Sequence, residues 1–477
     1  MRRIRFAVAA LLSAMAAVVA LAAPPAVAAE APQGSAGQRW ALKVDNLYVT
    51  VDAGADGDMK LRAKGTTAAG WEKFTLHTDY VSGSGFGSSV IFRSEATGRY
   101  VTAEDDASGN LLRTRVENTG SWQRFSLVSL TTGEYGLKAH NGKFVAAELG
   151  TYPDRGLLRA RTDKPASELG SWERFTLEPI SAPESDPTHM PAPSTPAVKA
   201  HNVVSWNICA NNNNDCPLKY APPTTMAPKV ASALFNAMGT RRPDAIFFQE
   251  ICEKQAKPLE LALEDRWPGL DVRFMPTYYK VTGTNILAQK NCSDGTDNAD
   301  RGAFGIALAV PDSNTWYQGT VLPSPDKQVP DKKEQRPMLC AVVPDEGSAY
   351  CNAHFSSGPY INSDGKLVGD DIDPSDPFRP KQAAEMRSQV GDYTAAGYTT
   401  YYGGDLNTTT ADVTYLDPLY SSGQECGQAD PTKPHTGDPT DGNNKIDYVF
   451  GPQGLKYTCR VTDPALSDHR IIEAETS

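Results

Sequence analysis

A short aromatic motif, tryptophan followed three residues later by phenylalanine, occurs three times before residue 180 at nearly constant spacing. Its tryptophans are Trp71, Trp122 and Trp172, so successive copies begin 51 and 50 residues apart. Two shorter motifs recur ahead of each copy, the first at 47–50, 99–102 and 143–146 and the second at 61–63, 112–114 and 158–160. Repeats of this length constrain the fold strongly, because each one must bury its apolar face against the others.

Each repeat contains several short segments of alternating apolar and polar residues, separated by Gly, Asp and Asn, which predicts β-strands joined by turns. Three units of this size can share one core in a closed barrel, with the tryptophan and phenylalanine of each packed at its axis. The pattern resembles the all-β trefoil, and the W-x-x-F ending resembles its fascin-like branch, over residues 36–178. A glycan, another polymer or a surface is a possible ligand, although the aromatic residues could simply form the core.

The N-terminus has the features of a secretory signal peptide. Arg2, Arg3 and Arg5 precede an apolar run from Phe6 to Ala23, and an A-x-A pattern follows at 26–29. This arrangement predicts a cleaved signal peptide at 1–29 and a secreted, extracellular protein. The apolar run is shorter than the ~20 residues that a membrane span needs, and we expect no transmembrane segment elsewhere.

The net charge of the chain limits how it can bind nucleic acid. Loss of the three signal-peptide arginines would take the formal charge from −11 to −14. So acidic a protein is not suited to broad electrostatic capture of a polyanion. A phosphate-bearing substrate must therefore be held at a local site.

All eight cysteines lie after residue 200, and an even number in a protein with a predicted signal peptide indicates disulfides. Cys340 and Cys351 flank a predicted hairpin, and Cys209 and Cys216 bound a short loop, so we expect these two pairs. No C-x-x-C spacing of a zinc site is present. The remaining pairings stay open.

A proline-rich segment at 179–200 predicts a semi-rigid linker between two domains. Beyond it, in a second domain at 201–477, short apolar segments predict strands at 202–207, 244–249, 304–310, 339–343, 350–354, 399–404 and 446–450. Helices are predicted from about Thr224 to a stop at Gly239 and over 381–396. Mixed strands and helices of this number favour an α/β sandwich of two or four layers.

Polar side chains stand at or just after the ends of several predicted strands: Asn207, Glu250, His354, Asp405 and Asn407. Asp447 lies within the predicted strand 446–450, and Asp468 and His469 form an adjacent pair near the C-terminus. Strand ends are where an α/β sheet gathers a site. Carboxylate oxygens suit a hard cation such as Mg²⁺, which can neutralise a phosphate and help a water attack. An imidazole held by a carboxylate can move the proton.

The ordered set W-N, Q-E, H, G-D-x-N, D and S-D-H resembles the endonuclease/exonuclease/phosphatase superfamily, typified by pancreatic-type DNase, over residues 201–474. The resemblance implies a four-layer α/β sandwich in a multidomain protein. It also implies that Glu250, with Asn207 near it, coordinates a divalent ion, and that Asp468 contributes to this metal site.

By the same resemblance, Asp405 and Asn407 bind and orient the phosphate and the attacking water. His354 and His469 would flank the phosphate, with Asp447 as the carboxylate partner of His469; which imidazole is the general base stays open. Gln335-Arg336-Pro337 is similar to the segment whose arginine lies near the DNA backbone in DNase-like members, which makes Arg336 a candidate substrate-binding residue. Cys209 stands where some members carry a further charged residue, and no acidic partner of His354 can be located.

We therefore expect a secreted phosphodiesterase that depends on Mg²⁺ or another hard divalent ion such as Mn²⁺, most simply an endonuclease acting on nucleic acid. A sphingomyelinase-type or inositol-phosphate phosphoesterase would need the same residues. A non-catalytic binding protein is the alternative outside enzymes. The Asp- and Asn-rich segment 291–301 is expected to be a solvated loop, with a structural Ca²⁺ site as the alternative. The oligomeric state and the domain arrangement stay open.

Overall fold

The computed structural model describes residues 39–477 except for 54–57, 79–88, 106–108, 118–119, 132, 151–154, 181–189, 195–199, 212–215, 282–283, 285, 298–299, 313–314, 326–333, 362–364, 366, 370, 372, 374, 413 and 429–435. The predicted signal peptide at 1–29 and most of the predicted linker at 179–200 lie outside these residues. Among the helices that the structure describes, none is long and apolar enough to span a membrane.

Residues 39–180, here called the repeat region, consist of short antiparallel strands. They are β1 Arg39–Val44, β2 Leu47–Asp52, β3 Lys60–Gly65, β4 Lys73–Thr78, β5 Ser89–Ser94, β6 Tyr100–Ala103, β7 Leu112–Val116, β8 Phe125–Thr131, β9 Glu134–Ala139, β10 Phe144–Glu148, β11 Leu157–Thr162 and β12 Phe175–Ile180. One apolar core joins all three repeats, and Phe74, Phe125 and Phe175 are buried in it. The shared core is the arrangement that the repeats predict.

The three repeated tryptophans do not pack at the axis of this core, and that part of the prediction is wrong. Trp71, Trp122 and Trp172 are 44%, 45% and 42% exposed. Each lies in a short 3₁₀ turn, Gly70–Glu72, Ser121–Gln123 or Ser171–Glu173, just before a strand. The third residue of each turn points inward instead: Glu72, for example, accepts hydrogen bonds from Thr50 Oγ1 and the Ala69 backbone N–H. The indole is therefore left on the outer side of the turn.

Residues 201–477, here called the two-sheet region, contain the remaining elements. The strands are β13 Asn202–Asn207, β14 Ala245–Cys252, β15 Leu270–Pro276, β16 Tyr278–Lys280, β17 Leu287–Lys290, β18 Phe304–Pro311, β19 Trp316–Val321, β20 Glu334–Gln335, β21 Pro337–Val343, β22 Ser348–His354, β23 Tyr360–Ile361, β24 Leu367–Val368, β25 Thr399–Asp405, β26 Gln424–Glu425, β27 Asp447–Gly451, β28 Tyr457–Thr462 and β29 Ile471–Thr476. The helices are α1 Pro223–Met238, α2 Glu253–Glu264, α3 Arg379–Ala395 and α4 Asp417–Tyr420.

Two six-stranded sheets form the centre of this region, in the orders β15-β18-β14-β13-β29-β28 and β19-β21-β22-β25-β27-β26. Apolar side chains from both sheets, among them Phe247, Leu308, Tyr350 and Val449, fill the space between them. Helices α1 and α2 cover the outer face of the first sheet, and α3 and α4 cover that of the second. The predicted four-layer α/β sandwich is thus confirmed.

Eight cysteines form four disulfides, Cys209–Cys216, Cys252–Cys292, Cys340–Cys351 and Cys426–Cys459. The first and third are the predicted pairs. Residues 190–194 of the predicted linker lie against the second sheet, since the Tyr398 hydroxyl donates to the Pro191 carbonyl at 2.5 Å, whereas Pro179 and Ile180 belong to β12. Ser194 N–H likewise donates to the Pro344 carbonyl at 2.8 Å.

The middle of the segment 291–301 has no helix or strand among its described residues, and Asp294, Thr296 and Asp297 are exposed there, as expected of a solvated loop. Its two ends are buried instead: Asn291 is 8% exposed and Arg301 is fully buried. The Asp300 carboxylate accepts hydrogen bonds from Tyr100 OH and from Lys254 Nζ. Arg301 donates through Nε to the Ser293 carbonyl at 2.7 Å.

Candidate active site

The two sheets bring their polar strand ends to one edge of the sandwich. Parallel pairing of β22 with β25 places His354 opposite Asp405, and antiparallel pairing of β25 with β27 places Asp405 opposite Asp447. In the first sheet, β13 runs parallel to β14 and ends in Asn207, beside Gln249. Because the sheets face each other, the two sets of side chains meet.

Asp405 lies at the centre of this cluster and is almost fully buried. Its Oδ2 accepts a hydrogen bond from Asn207 Nδ2 at 3.0 Å, and it lies 3.4 Å from His354 Nε2 and 3.8 Å from His469 Nε2. Burial raises the pKa of Asp405 to about 7, against the opposing effect of His469. A carboxylate with such a pKa can accept a proton near neutral pH.

His469 is held by Asp447, whose Oδ2 lies 2.9 Å from His469 Nδ1. Burial alone would lower the pKa of this imidazole, but the carboxylates of Asp447 and Asp405 outweigh it and raise the pKa well above its usual value. His354 is in the opposite situation: burial, Arg336, His469 and Lys290 lower its pKa well below the usual value. The two imidazoles of the site thus differ: the surroundings of His469 favour its protonated form and those of His354 favour its neutral form.

Glu250 and Asn207 form the part of the site expected to bind a metal ion. Asn207 Nδ2 lies 3.4 Å from Glu250 Oε1, while Asn207 Oδ1 accepts the Cys209 backbone N–H at 3.0 Å. Burial raises the pKa of Glu250, and Lys290 and His469 act against this. Cys209, Glu250 and Asn407 all have positive φ, at 48°, 58° and 48°. Strained backbone of this kind is often found at functional sites.

The Ser467-Asp468-His469 turn attaches the C-terminal residues to β13. Ser467 Oγ donates to the Asn207 carbonyl at 2.7 Å and lies 3.2 Å from Asp468 Oδ1. Asp468 is near enough to Glu250 to raise its pKa. Cys209 and Cys216 also approach Asp468, but their sulfurs are joined in a disulfide and are not thiolate ligands.

Asn407 and Arg336, the remaining predicted site residues, lie beside the cluster. Asn407 N–H donates to Asp405 Oδ1 at 3.0 Å, and its side chain donates to the Phe355 carbonyl at 3.1 Å. Arg336 is buried and pairs with Glu334 at 3.2 Å. All nine predicted site residues are therefore brought to one edge of the sandwich.

The sequence interpretation missed Lys290, at the end of β17. It is 6% exposed, forms an ion pair with Glu334 and lies 3.8 Å above the Phe304 ring. Its charge acts on both Glu250 and His354. The sequence does contain a signal for Lys290: it is a charged residue at the end of a short apolar segment, as Glu250 and His354 are.

The donor set fits a hard divalent cation. Among the described residues, Asp405, Asp447 and His469 have potential ligand atoms within 4.8 Å of one another, but the raised pKa of His469 makes its imidazole a poor ligand and leaves the carboxylates as the donors. Asp447 Oδ1 is buried and lacks a hydrogen-bond partner among the described residues. Glu250 adds a further carboxylate, whose Oε1 lies 3.4 Å from the Asn207 amide nitrogen. Oxygen ligands of this type are those that Mg²⁺ prefers.

Residues 204–469 match the family model described as "Endonuclease/Exonuclease/phosphatase family". This match covers more than half of the chain, and the protein belongs to that family. It is therefore a phosphoester hydrolase, and enzymes of this family generally use a divalent metal ion. None of the curated proteins compared with the chain matches it.

Solved structures of other proteins show similarity at low sequence identity. Truncated TDP2 of Caenorhabditis elegans is 17% identical, with 58% of this chain and 97% of that chain covered and a TM-score of 0.38. The catalytic domain of human Nocturnin, with a bound sulfate, is 15% identical, with coverages of 58% and 93% and a TM-score of 0.38. TDP2 of D. rerio, complexed with a single-strand DNA product, is 14% identical, with coverages of 59% and 100% and a TM-score of 0.35.

Proposed function

We propose that the protein is a secreted, Mg²⁺-dependent endonuclease that hydrolyses phosphodiester bonds of nucleic acid. The observation that carries this proposal is the close approach of Asp405, Asn207 and the Asp447–His469 pair at one buried edge. Asp405, whose pKa is about 7, is suited to accept a proton. His469, whose pKa is raised, is suited to stabilise a charged phosphate, and His354, whose pKa is lowered, favours the neutral form.

In this proposal, Glu250, Asn207 and Asp468 hold the divalent ion. When bound, the ion neutralises phosphate charge and polarises the phosphoryl oxygen. Asp405 orients the attacking water and accepts its proton, and Asn407 aligns the phosphate beside it. Because Asp447 keeps His469 protonated, His469 stabilises negative charge that develops on the phosphate. His354, which is neutral, donates a hydrogen bond to the phosphate from the other side.

Several further features belong to the same proposal. Residues 1–29 would be the signal peptide, 36–178 a fascin-like β-trefoil, 179–200 a linker and 201–477 the catalytic domain. The four disulfides are compatible with an oxidising, extracellular environment. Three exposed tryptophans at equivalent places in the repeats could contact a polymer or a surface.

The experiment is a substrate comparison with purified protein. Plasmid DNA, RNA and sphingomyelin vesicles are each incubated with Mg²⁺, Mn²⁺ or EDTA. We expect metal-dependent cleavage of DNA or RNA that is lost in His469→Ala and kept in His140→Ala, since His140 lies in the repeat region. Hydrolysis of sphingomyelin alone would replace the nuclease with a lipid phosphodiesterase, and nucleic-acid cleavage that persists in EDTA would contradict the metal site.

A further inference from the structure

The hydrogen-bonded sheet of the repeat region continues into the two-sheet region. Strand β4 pairs in parallel with β17, with Gln289 opposite His77 and Lys290 opposite Thr78. Strand β17 pairs with β16, and β16 pairs with β20. These three strands have only four, three and two residues. Such short strands are marginal without a neighbour, and β4 supplies one.

The far end of this ladder carries charges beside the candidate active site. Lys290 at the end of β17 and Arg336 just after β20 both form ion pairs with Glu334. Two cations share one carboxylate here, so the three side chains together carry a net charge of +1. Antiparallel pairing of β21 with β22 sets Met338 opposite Ala353, so Arg336, two residues before Met338, lies at the end of β22 that carries His354. The charges of Arg336 and Lys290 accordingly act on the pKa of His354.

A second set of contacts joins the repeat region to the segment that follows Glu250. Arg93 Nη1 donates to Glu253 Oε1 at 2.9 Å, and Glu253 Oε2 accepts the Ala303 backbone N–H at 3.2 Å. Tyr100 OH donates to Asp300 Oδ2 at 2.8 Å. Both contacts fall on segments that the Cys252–Cys292 disulfide connects. The repeat region thus touches the chain on both sides of Lys290.

We propose that the repeat region is a positioning element of the active site: through β4 and β17 it holds Lys290 against Glu334 and thereby fixes Arg336 at the phosphate-binding side, next to His354. The contacts differ from those of a tethered module, which would meet the catalytic domain only through its linker. This inference rests on the proposed function, because it takes nucleic-acid phosphate as the ligand of Arg336.

A double-mutant comparison tests whether Lys290 acts through Arg336. Binding of a fluorescent oligonucleotide is measured in EDTA, where no cleavage occurs, for Lys290→Gln, Lys290→Arg, Arg336→Gln and the Lys290→Gln/Arg336→Gln double variant. We expect Lys290→Gln to raise Kd about tenfold, Lys290→Arg to restore most of the affinity, and the double variant to bind as Arg336→Gln does. Losses that multiply in the double variant, or an unchanged Kd in Lys290→Gln, would overturn the proposal.

The role of the repeat region is tested at its contacts. Arg93→Gln/Tyr100→Phe removes two cross-region hydrogen bonds. Lys43→Gln is the matched control, because Lys43 holds the equivalent place in the first repeat and pairs with Glu178 inside the repeat region. In the double variant alone we expect faster amide hydrogen exchange at 287–291 and a several-fold higher Kd that disappears in an Arg336→Gln background.

If Arg93→Gln/Tyr100→Phe and Lys43→Gln show the same hydrogen exchange and the same Kd, the positioning role is overturned. A failure of the proposed function gives a different result. A wild-type protein that neither binds nor cleaves any polynucleotide would contradict the nuclease, while the exchange comparison at 287–291 would still decide whether the repeat region holds β17.

Discussion

The two histidines of the active site make different contacts with carboxylates, and these contacts set their charge. His469 Nδ1 lies 2.9 Å from Asp447, whereas His354 Nδ1 is buried without a hydrogen-bond partner among the described residues. His354 also lies near the cations Arg336 and Lys290, which disfavour its protonation. The pKa of His469 is therefore raised by neighbouring carboxylates, of which Asp447 has the largest effect.

Asp447→Asn should favour the neutral form of His469 at neutral pH. Because the carboxylate of Asp447 raises the pKa of His469, its loss lets the imidazole deprotonate at lower pH. We expect kcat to fall by about 10²–10⁴-fold, and the alkaline limb of the pH–kcat profile to move to lower pH. Steady-state kinetics between pH 5 and 10 measure both effects.

Asp463→Asn is the control for this variant, since Asp463 is an exposed aspartate outside the site. It should leave kcat and the pH profile unchanged. A pH profile of Asp447→Asn that is lowered in height but keeps its alkaline limb would contradict the assignment of that limb to His469.

Ionisation of Asp405 should lower the free energy of unfolding. Its pKa in the folded protein is about 7, whereas an unperturbed aspartate has a pKa of 3.8. The stability associated with this group is full below the unfolded pKa and is lost as pH rises through about 7. In EDTA, Asp405→Asn should therefore match the wild type near pH 4 and exceed its stability at pH 8, by on the order of 2–4 kcal/mol.

Thermal unfolding in EDTA at pH 4 and pH 8 measures this difference, while kcat of Asp405→Asn should be strongly reduced. Saturating Mg²⁺ should narrow the gap, because an ion that binds the wild-type site stabilises its folded state. Equal melting temperatures of the wild type and Asp405→Asn at pH 8 in EDTA would contradict the prediction that the buried, ionised carboxylate of Asp405 destabilises the folded protein.

At the scale of secondary-structure elements, the Gly403-Gly404 pair in β25 lets three strands approach the site closely. A Cβ on Gly404 would lie 2.0 Å from the Ala353 carbonyl oxygen of β22, and one on Gly403 would lie 2.0 Å from that of Tyr448 in β27. Both residues also have positive φ, 155° and 126° in chain order. The glycines are required because His354, Asp405 and Asp447 must meet on neighbouring strands.

Gly404→Ala should consequently destabilise the two-sheet region by about 2–5 kcal/mol, through overlap with backbone and through strain at positive φ. Gly391→Ala makes the matched control. Gly391 lies exposed within α3 with no atom near an added Cβ, and the change should stabilise by up to about 1 kcal/mol. Chemical denaturation measures both; similar free energies of unfolding for the two variants would contradict the packing argument.

The elements with a clear apolar pattern in the sequence were predicted well. Strand β13 was predicted at its observed bounds, and α1 ends at Gly239 as expected. The order of polar strand ends also located the active-site residues, because strand ends meet at sheet edges. The outward position of Trp71 depends on a 3₁₀ turn and on the inward bonds of Glu72, which periodicity does not report. Lys290 was missed because its position depends on pairing with a strand more than 200 residues earlier.

At the scale of the whole molecule, the contact between the two regions includes a buried histidine. His77 of β4 is fully buried, with Nδ1 2.7 Å from Asn291 Oδ1 and Nε2 3.2 Å from Thr75 Oγ1. Burial lowers its pKa, the Glu253 carboxylate opposes this effect, and Arg93 adds to it. Asp300 also acts to raise the pKa of His77, but the net direction is downward.

A histidine whose folded pKa lies below its unfolded value makes stability sensitive to acid. The associated stability is present above the unfolded pKa of about 6.5 and is lost as pH falls below it, because protonation then favours the unfolded or undocked chain. We expect the melting temperature of the wild type to fall more between pH 7.5 and pH 5 than that of His77→Gln, because a glutamine side chain stays neutral. His140→Gln, a change outside this contact, should follow the wild type. The hydrogen-exchange protection factors at 287–291, corrected for the intrinsic pH dependence of exchange, should fall on acidification in the wild type and stay nearly constant in His77→Gln; the same acid response in both proteins would mean that another group controls the contact.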